Sequence, residues 1–158
     1  MEKIKFKNAL KNQAALIVEY IHKIAIFEKL DSSVKVDENM ILNFVFKKKI
    51  AKVFFIYCDK KVIGFCLYFL NYSTFVGKAG IHLEDLYIDE EFRHHGIGKK
   101  AIQHLCKIAT KNNMERIERT CLKWNKNAYN FYLSLGAIPQ NERETFRLTT
   151  ENITKLAK

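Results

Sequence analysis

Leu83-Glu84-Asp85-Leu86-Tyr87-Ile88-Asp89-Glu90-Glu91-Phe92-Arg93-His94-His95-Gly96-Ile97-Gly98 is the stretch on which the reading of this chain turns. Its first part, from Ile81 to Ile88, is rich in apolar and β-forming residues and reads as a strand. After Gly98 the period changes: Ile97, Ala101, Leu105 and Ile108 fall on one helical stripe. Asp89 to His95 therefore connects a strand to a helix, and two glycines stand where that helix starts. A helix N-terminus presents unpaired N–H groups and a partial positive charge, and glycine lets a phosphate approach those groups closely. The segment is built to cradle a pyrophosphate.

The surroundings extend this to a mixed sheet. Ile4 and Phe6 alternate with lysines as in a short strand, and Leu16, Ile17, Tyr20, Ile21, Ile24 and Phe27 recur at helical spacing. Asp37 can cap a second helix, with Met40, Ile41, Phe44 and Val45 on one face, that ends in Lys47-Lys48-Lys49, where cations suit the C-terminal dipole. Val53–Cys58 and Val62–Leu70 are strands joined through Asp59-Lys60-Lys61, the length of a hairpin loop, and the polar stretch Asn71 to Gly80 separates them from Ile81–Ile88. Asn112-Asn113 can stop the long helix, Arg116–Leu122 reads as a further strand, and Ala128, Phe131, Tyr132 and Leu135 form a last amphipathic helix closed by Gly136. Thr145–Leu148 is a candidate final strand. The expectation is a mixed, mostly antiparallel α/β sheet flanked by helices, with the strand-helix-strand unit from Ile81 to Leu122 pairing in parallel.

Length and composition agree with one compact domain over residues 1–158: 48% of the residues are hydrophobic and 28% charged, with one proline and six glycines. The formal charge of +10 favours anionic partners without choosing among them. The lysines are scattered, and no basic and aromatic residues interleave as on a single-strand binding platform, so nucleic acid is not the expected partner. Cys58, Cys66, Cys106 and Cys121 form no CxxC pair and no cysteine-histidine zinc spacing, and His94-His95 lack a third ligand nearby, so no metal is expected. Met1 to Asn8 shows no secretory pattern, and the longest apolar run, Val62 to Leu70, is far short of the ~20 residues that span a bilayer. The expectation is a cytoplasmic protein without a membrane segment.

Three kinds of phosphate loop compete for Arg93–Gly98. A Walker A loop would need glycine at Arg93 and Ser or Thr at Lys100. Gly96, Gly98 and Ala101 do satisfy the dinucleotide fingerprint, but seven residues separate Ile88 from Gly96, too many for its tight turn. The third pattern, Arg or Gln-x-x-Gly-x-Gly or Ala, is met by Arg93, Gly96 and Gly98. With Leu83–Ile88 before it and Trp124-Asn125-x-x-Ala128-x-x-Phe131-Tyr132-x-x-x-Gly136-Ala137 after it, the chain resembles the GNAT N-acetyltransferase superfamily. Within that superfamily it is most similar to the spermidine/spermine (diamine) acetyltransferase branch, including Gly64-Phe65 through Tyr72 and Gly77-Lys78 upstream.

That resemblance implies an acetyl-CoA-dependent enzyme acetylating a small primary amine, such as a diamine, a polyamine or a lysine-like amine. It implies that the backbone of Leu86, Tyr87 and Ile88 pairs with the pantetheine arm, and that Arg93, His94, His95, Gly96, Ile97, Gly98 and Lys99 hold the pyrophosphate. Asn125, Lys126, Asn127 and Ala128 would contact the coenzyme further along, with Tyr132 beside the sulfur. Glu84 matches the family's general base, and Phe27, Glu28, Asp85 and Glu144 fall where the substrate is contacted. Relatives of this kind pair as homodimers. His94 departs from the pattern, since close relatives carry glycine there.

The residues alone leave other readings open. Glu84 and Asp85 are adjacent in an apolar strand, so strict alternation would put them on opposite faces, where either could pair with a lysine. Tyr132 shares the apolar stripe of Ala128 and Phe131 and reads as a core aromatic until its motif is considered. An acetyltransferase of a protein lysine, an N-terminus or an amino acid, and a non-catalytic module binding coenzyme A or nucleic acid, are the alternative functions.

Overall fold

The computed structural model describes residues 3–157 and divides the chain into two compact units, 1–120 and 121–158. The first unit holds one sheet of five strands in the order β1-β2-β3-β4-β5: Ile4–Asn8, Lys52–Cys58, Lys61–Ser73, Lys78–Ile88 and Ile117–Glu118. The first four pair antiparallel with their sequence neighbours, and β5 runs parallel to β4. The mixed, mostly antiparallel α/β architecture follows the expectation.

Helix α1 (Ala14–Phe27) lays Ala14, Ile17, Tyr20 and Ile24 against Val53, Phe55, Phe65 and Leu67, and these residues are buried in one core. Their spacing is that of a single helical face against alternate positions of two strands. Residues of the other strand parity, Phe54 and Phe6 among them, meet His104 of α3 (Ile97–Lys111), with His104 stacked on Phe6 at 4.9 Å between ring centroids. Ile97, Ala101, Leu105 and Ala109 are the buried stripe of α3. Asn112 stops that helix, its side-chain amide donating to the Ile108 carbonyl at 2.8 Å.

Several boundaries differ from the expectation. Asp37 does cap α2 (Glu38–Ile41), accepting from the Met40 N–H at 2.7 Å, but the helix continues as a π-helical turn over Leu42–Lys47. The Asn71–Gly80 stretch is largely strand: β3 runs to Ser73 and β4 starts at Lys78, so only the turn between them is loop. Polar or small residues at the inward positions, Asn71, Ser73 and Gly80, hid a ladder that the backbone completes. The strand expected over Arg116–Leu122 pairs only at Ile117 and Glu118.

The β3–β4 ladder carries the feature that positions the site. Leu67 pairs with Asp85 and Tyr68 with Leu83, leaving Glu84 as an extra residue in β4, a β-bulge. Alternation is broken there. Asp85 and Tyr87 share the face of Phe65 and Leu67, beneath α1, whereas Leu83 shares the face of Tyr68. The expected placement of Glu84 and Asp85 on opposite faces rested on an alternation that this bulge interrupts.

The second unit contains α4 (Lys126–Ser134) and α5 (Thr150–Leu156). Gly136, at φ +85°, closes α4: its N–H bonds to Leu133 O, and that of Ala137 to Tyr132 O, the paired bonds of a Schellman motif. Thr145–Leu148 is not a strand. Those residues are exposed and make no ladder, and the chain turns helical at Thr150 instead.

Candidate active site

A group of charged side chains surrounds the bulge of β4. Asp85 is half-buried there, and burial, followed by the negative charge of Glu84, pushes its carboxyl from the usual 3.8 to about 6; Arg119 opposes this and Glu28 adds to it. Glu28 is the C-cap residue of α1, with its N–H bonded to Ile24 O, so the helix end carries this carboxylate to the sheet. Arg119 follows β5 directly, and its Nη2 lies 3.9 Å from Glu28 Oε1; the two side chains are only 12% and 21% exposed. Glu84 is more open and its Oε2 lies 3.5 Å from His82 Nε2. Three carboxylates and one guanidinium thus share a partly desolvated region, where a charged group finds a partner or shifts its protonation.

Next to them lies a strand edge. β5 ladders β4 only at Ile81 and His82, so Leu86, Tyr87 and Ile88 are bonded through β3 and extend beyond the end of β5. An edge of this kind can take an added extended segment through its backbone groups. Gly64, opposite Ile88, permits the close β3–β4 approach: a Cβ there would stand 2.4 Å from Tyr87 O.

The chain leaves β4 through Asp89, which accepts from the Tyr20 hydroxyl at 3.0 Å and from Lys23 Nζ at 3.2 Å. Burial, and then this carboxylate, raise the Tyr20 hydroxyl well above its ordinary pKa, so the phenol stays a donor. After a short 3₁₀ turn, Glu90–Phe92, Arg93 folds back: its Nε donates to Ile88 O at 2.8 Å, and its guanidinium lies 4.9 Å from the Phe27 ring centroid and 5.1 Å from that of Tyr87. Arg93 therefore braces α1 against β4. His94 (φ +65°) and Gly96 (φ +74°) both take the left-handed backbone, and α3 opens at Ile97 with no side chain capping it.

That opening suits an anion. The first N–H groups of a helix have no partner within it, and here no side chain supplies one. A Cβ at Gly96 would meet nothing within 4 Å, so the backbone is open on that side, and His94, His95 and Lys99 are exposed around it. Gly98 follows in the first turn. The donors from His94 to Lys99 and the edge Leu86–Ile88 are consecutive along one strand-turn-helix path.

In the second unit, Asn125 is buried and caps α4, its Oδ1 accepting from the Ala128 N–H at 3.1 Å; Lys126 and Asn127 are exposed in the first turn. Tyr132 is half-buried, with its ring edge-on to Phe131 at 5.1 Å. Glu144 is exposed in the irregular stretch before α5.

Comparison with known proteins decides the family. The profile of the Acetyltransferase (GNAT) family matches residues 18–137, most of the chain. The chain belongs to the GNAT acetyltransferase family. It is an acetyl-CoA-dependent N-acetyltransferase, and acetyl-CoA is its co-substrate. Thialysine N-epsilon-acetyltransferase of Mus musculus is 30% identical over 99% of both chains. L-ornithine N5-acetyltransferase of Arabidopsis thaliana is 37% identical over 63% of this chain and 44% of its own. Among solved structures, an integron cassette protein from the mobile metagenome of V. cholerae superposes with a TM-score of 0.81 at 26% identity, covering 98% of each chain.

Two side chains beside the bulge were missed in the sequence, Arg119 and His82. A weak signal existed for Arg119: a guanidinium two residues beyond Ile117, in an expected strand of otherwise apolar parity. Nothing local marked His82, whose relation to Glu84 depends on the bulge. Among the described residues, no three His, Cys, Asp or Glu side chains come together as metal ligands, and no helix is long and apolar enough to cross a membrane.

Proposed function

We propose that this GNAT enzyme acetylates the terminal amine of a small lysine-like molecule, diamine or polyamine. The observation that carries this reading is the convergence of Glu28, Glu84 and Asp85 at the bulge of β4, beside the open strand edge. Carboxylates that repel one another in a half-buried region are relieved by a cation, and a primary ammonium supplies one. The thialysine- and ornithine-acetylating relatives support the same class of substrate.

Acetyl-CoA supplies the activated acetyl group as a thioester; the chain's own residues must bind it, orient it and move protons. The open edge at Leu86, Tyr87 and Ile88 fits the pantetheine arm, with Tyr87 O turned to β3 and Ile88 O held by Arg93, and the N–H groups of His94, His95, Gly96, Ile97, Gly98 and Lys99 fit the diphosphate. The resemblance assigns Asn125 to Ala128 to the coenzyme as well. An amine of pKa ~10.4 is almost wholly protonated at pH 7 and has no lone pair to attack with. Glu84, the carboxylate most open to solvent, accepts that proton through water. Tyr132 is the donor assigned by the motif to the departing thiolate, a transfer that suits a phenol of pKa ~10 and a thiol of pKa ~8.5. Glu28, Asp85 and Phe27 complete the amine site at the bulge, and the resemblance adds Glu144 as a substrate contact.

The net charge of +10 draws in the polyanionic coenzyme, while screening within ~8 Å leaves the local carboxylates in control of the amine. Residues 1–158 act as one catalytic domain in this reading, supported by a family match that runs across residue 120. We place the enzyme in the cytoplasm, as a homodimer; its four cysteines are thiols, consistent with a reducing compartment.

The test is release of free thiol from acetyl-CoA against a panel of diamines, polyamines, lysine analogues and peptides, with the parent chain, Glu84→Gln and Tyr132→Phe. Turnover of a small amine, reduced ~10- to 1000-fold in each variant, is expected. Turnover of peptides alone, or full activity in both variants, contradicts the proposal.

A further inference from the structure

Arg119 has no role in the reading above, yet it is among the most enclosed charged side chains near the site. Its guanidinium side chain is 12% exposed, its Nη2 lies 3.9 Å from Glu28 Oε1, and its charge is felt by Asp85 together with those of Glu28 and Glu84. A cation held in this position already neutralises one of the carboxylates on which a substrate would draw. We propose that Arg119 is a specificity-determining residue: a built-in countercharge that makes the amine site select zwitterionic, amino-acid-type amines over diamines and polyamines.

The argument is one of charge placement. Arg119 lowers the charge of the group from −3 for Glu28, Glu84 and Asp85 to −2, and it stands 3.9 Å from Glu28, so the carboxylates left to a substrate are Glu84 and Asp85. A second ammonium on the same substrate would meet the guanidinium repulsively in a partly desolvated region, where screening by salt is weak. A lysine-type substrate avoids this, because the α-carboxylate at its far end offsets the α-ammonium and is itself attracted to a nearby cation. Arg119 acts on the reaction through the charge of its neighbours, so neutralising it should alter which amine is chosen more than how fast a well-placed amine reacts.

This inference rests on the proposed amine acetylation, and its test separates the two. Thiol release is measured for thialysine, lysine and ornithine and for putrescine and spermidine, with the parent, Arg119→Met and Arg119→Lys. The parent should favour the amino-acid amines in kcat/KM. Arg119→Met should move the ratio of diamine to amino acid by roughly 10-fold toward the diamine, mainly through KM, as expected for a unit charge in a half-buried site. Arg119→Lys, which keeps the charge, should retain the parent ratio. The pH profile gives a second readout: with the guanidinium gone, the acid limb of kcat/KM should move to higher pH, since Arg119 holds the Asp85 carboxyl down.

A parent that prefers diamines overturns the inference while leaving amine acetylation intact, and so does an Arg119→Met ratio within 2-fold of the parent. If Arg119→Met does not fold, Arg119→Gln takes its place, with the same expected shift toward the diamine and the same 2-fold limit. Absence of turnover with every amine sinks the proposed function instead.

Discussion

Replacing Asp85 by Asn should remove a specific part of the pH dependence of stability. In the folded chain this carboxyl is pushed from 3.8 to about 6, first by burial and then by Glu84. A shift of that size is equivalent to about 3 kcal/mol between the two protonation states. The sign follows from the direction. A carboxyl whose pKa is raised on folding binds its proton more tightly in the native state than in the unfolded chain, so stability falls as pH rises from about 4 to about 6. Below that window the acid is neutral in both states and the term vanishes. Urea denaturation of parent and Asp85→Asn at pH 4 and pH 8 measures most of it: between those pH values the parent should lose about 2 kcal/mol that the variant does not. Other groups titrate in both proteins and largely cancel in the difference. Parallel curves would refute the reasoning, because Asp85 would then ionise as freely in the fold as in water. A bound cationic amine should narrow the parent's loss, since it stabilises the ionised carboxylate.

Three further outcomes follow from the backbone and the chemistry. His94→Gly should stabilise the chain by about 0.5–1 kcal/mol in urea melts, since His94 sits at φ +65° where a Cβ is disfavoured. Gly64→Ala should cost about 3 kcal/mol and weaken acetyl-CoA binding, because the new Cβ would stand 2.4 Å from Tyr87 O with backbone on the facing strand; an unchanged melting temperature would contradict this. Glu84→Gln should lower kcat ~10- to 1000-fold while leaving coenzyme affinity within 2-fold, measured by titration calorimetry.

Much of this was readable from the residues in order. Helical spacing located α1 and α3, β-branched and aromatic runs located β2 and β3, and the pair Gly96 and Gly98 marked the start of α3. Features that depend on a partner strand or on a different hydrogen-bond period were not readable. The bulge at Glu84 exists only in the register of Leu67 with Asp85 and Tyr68 with Leu83, so local alternation misplaced the carboxylates relative to one another. The π-helical turn over Leu42–Lys47 keeps an apolar face that looks α-helical in sequence. The ends of β3 and β4 resembled a loop because their inward positions hold the polar or small Asn71, Ser73 and Gly80 while Tyr72 faces solvent. Arg119 joined the site because the chain beyond β5 brings it beside Glu28, a meeting of residues 91 positions apart.

Hydrogen exchange with and without acetyl-CoA tests the central claim most directly. If the α3 opening and the free edge of β4 hold the coenzyme, the amides of residues 94–99 and 86–88 should slow on binding, while those at the β3–β4 turn stay unchanged. Protection confined to other segments, or none at saturating acetyl-CoA, would contradict the account.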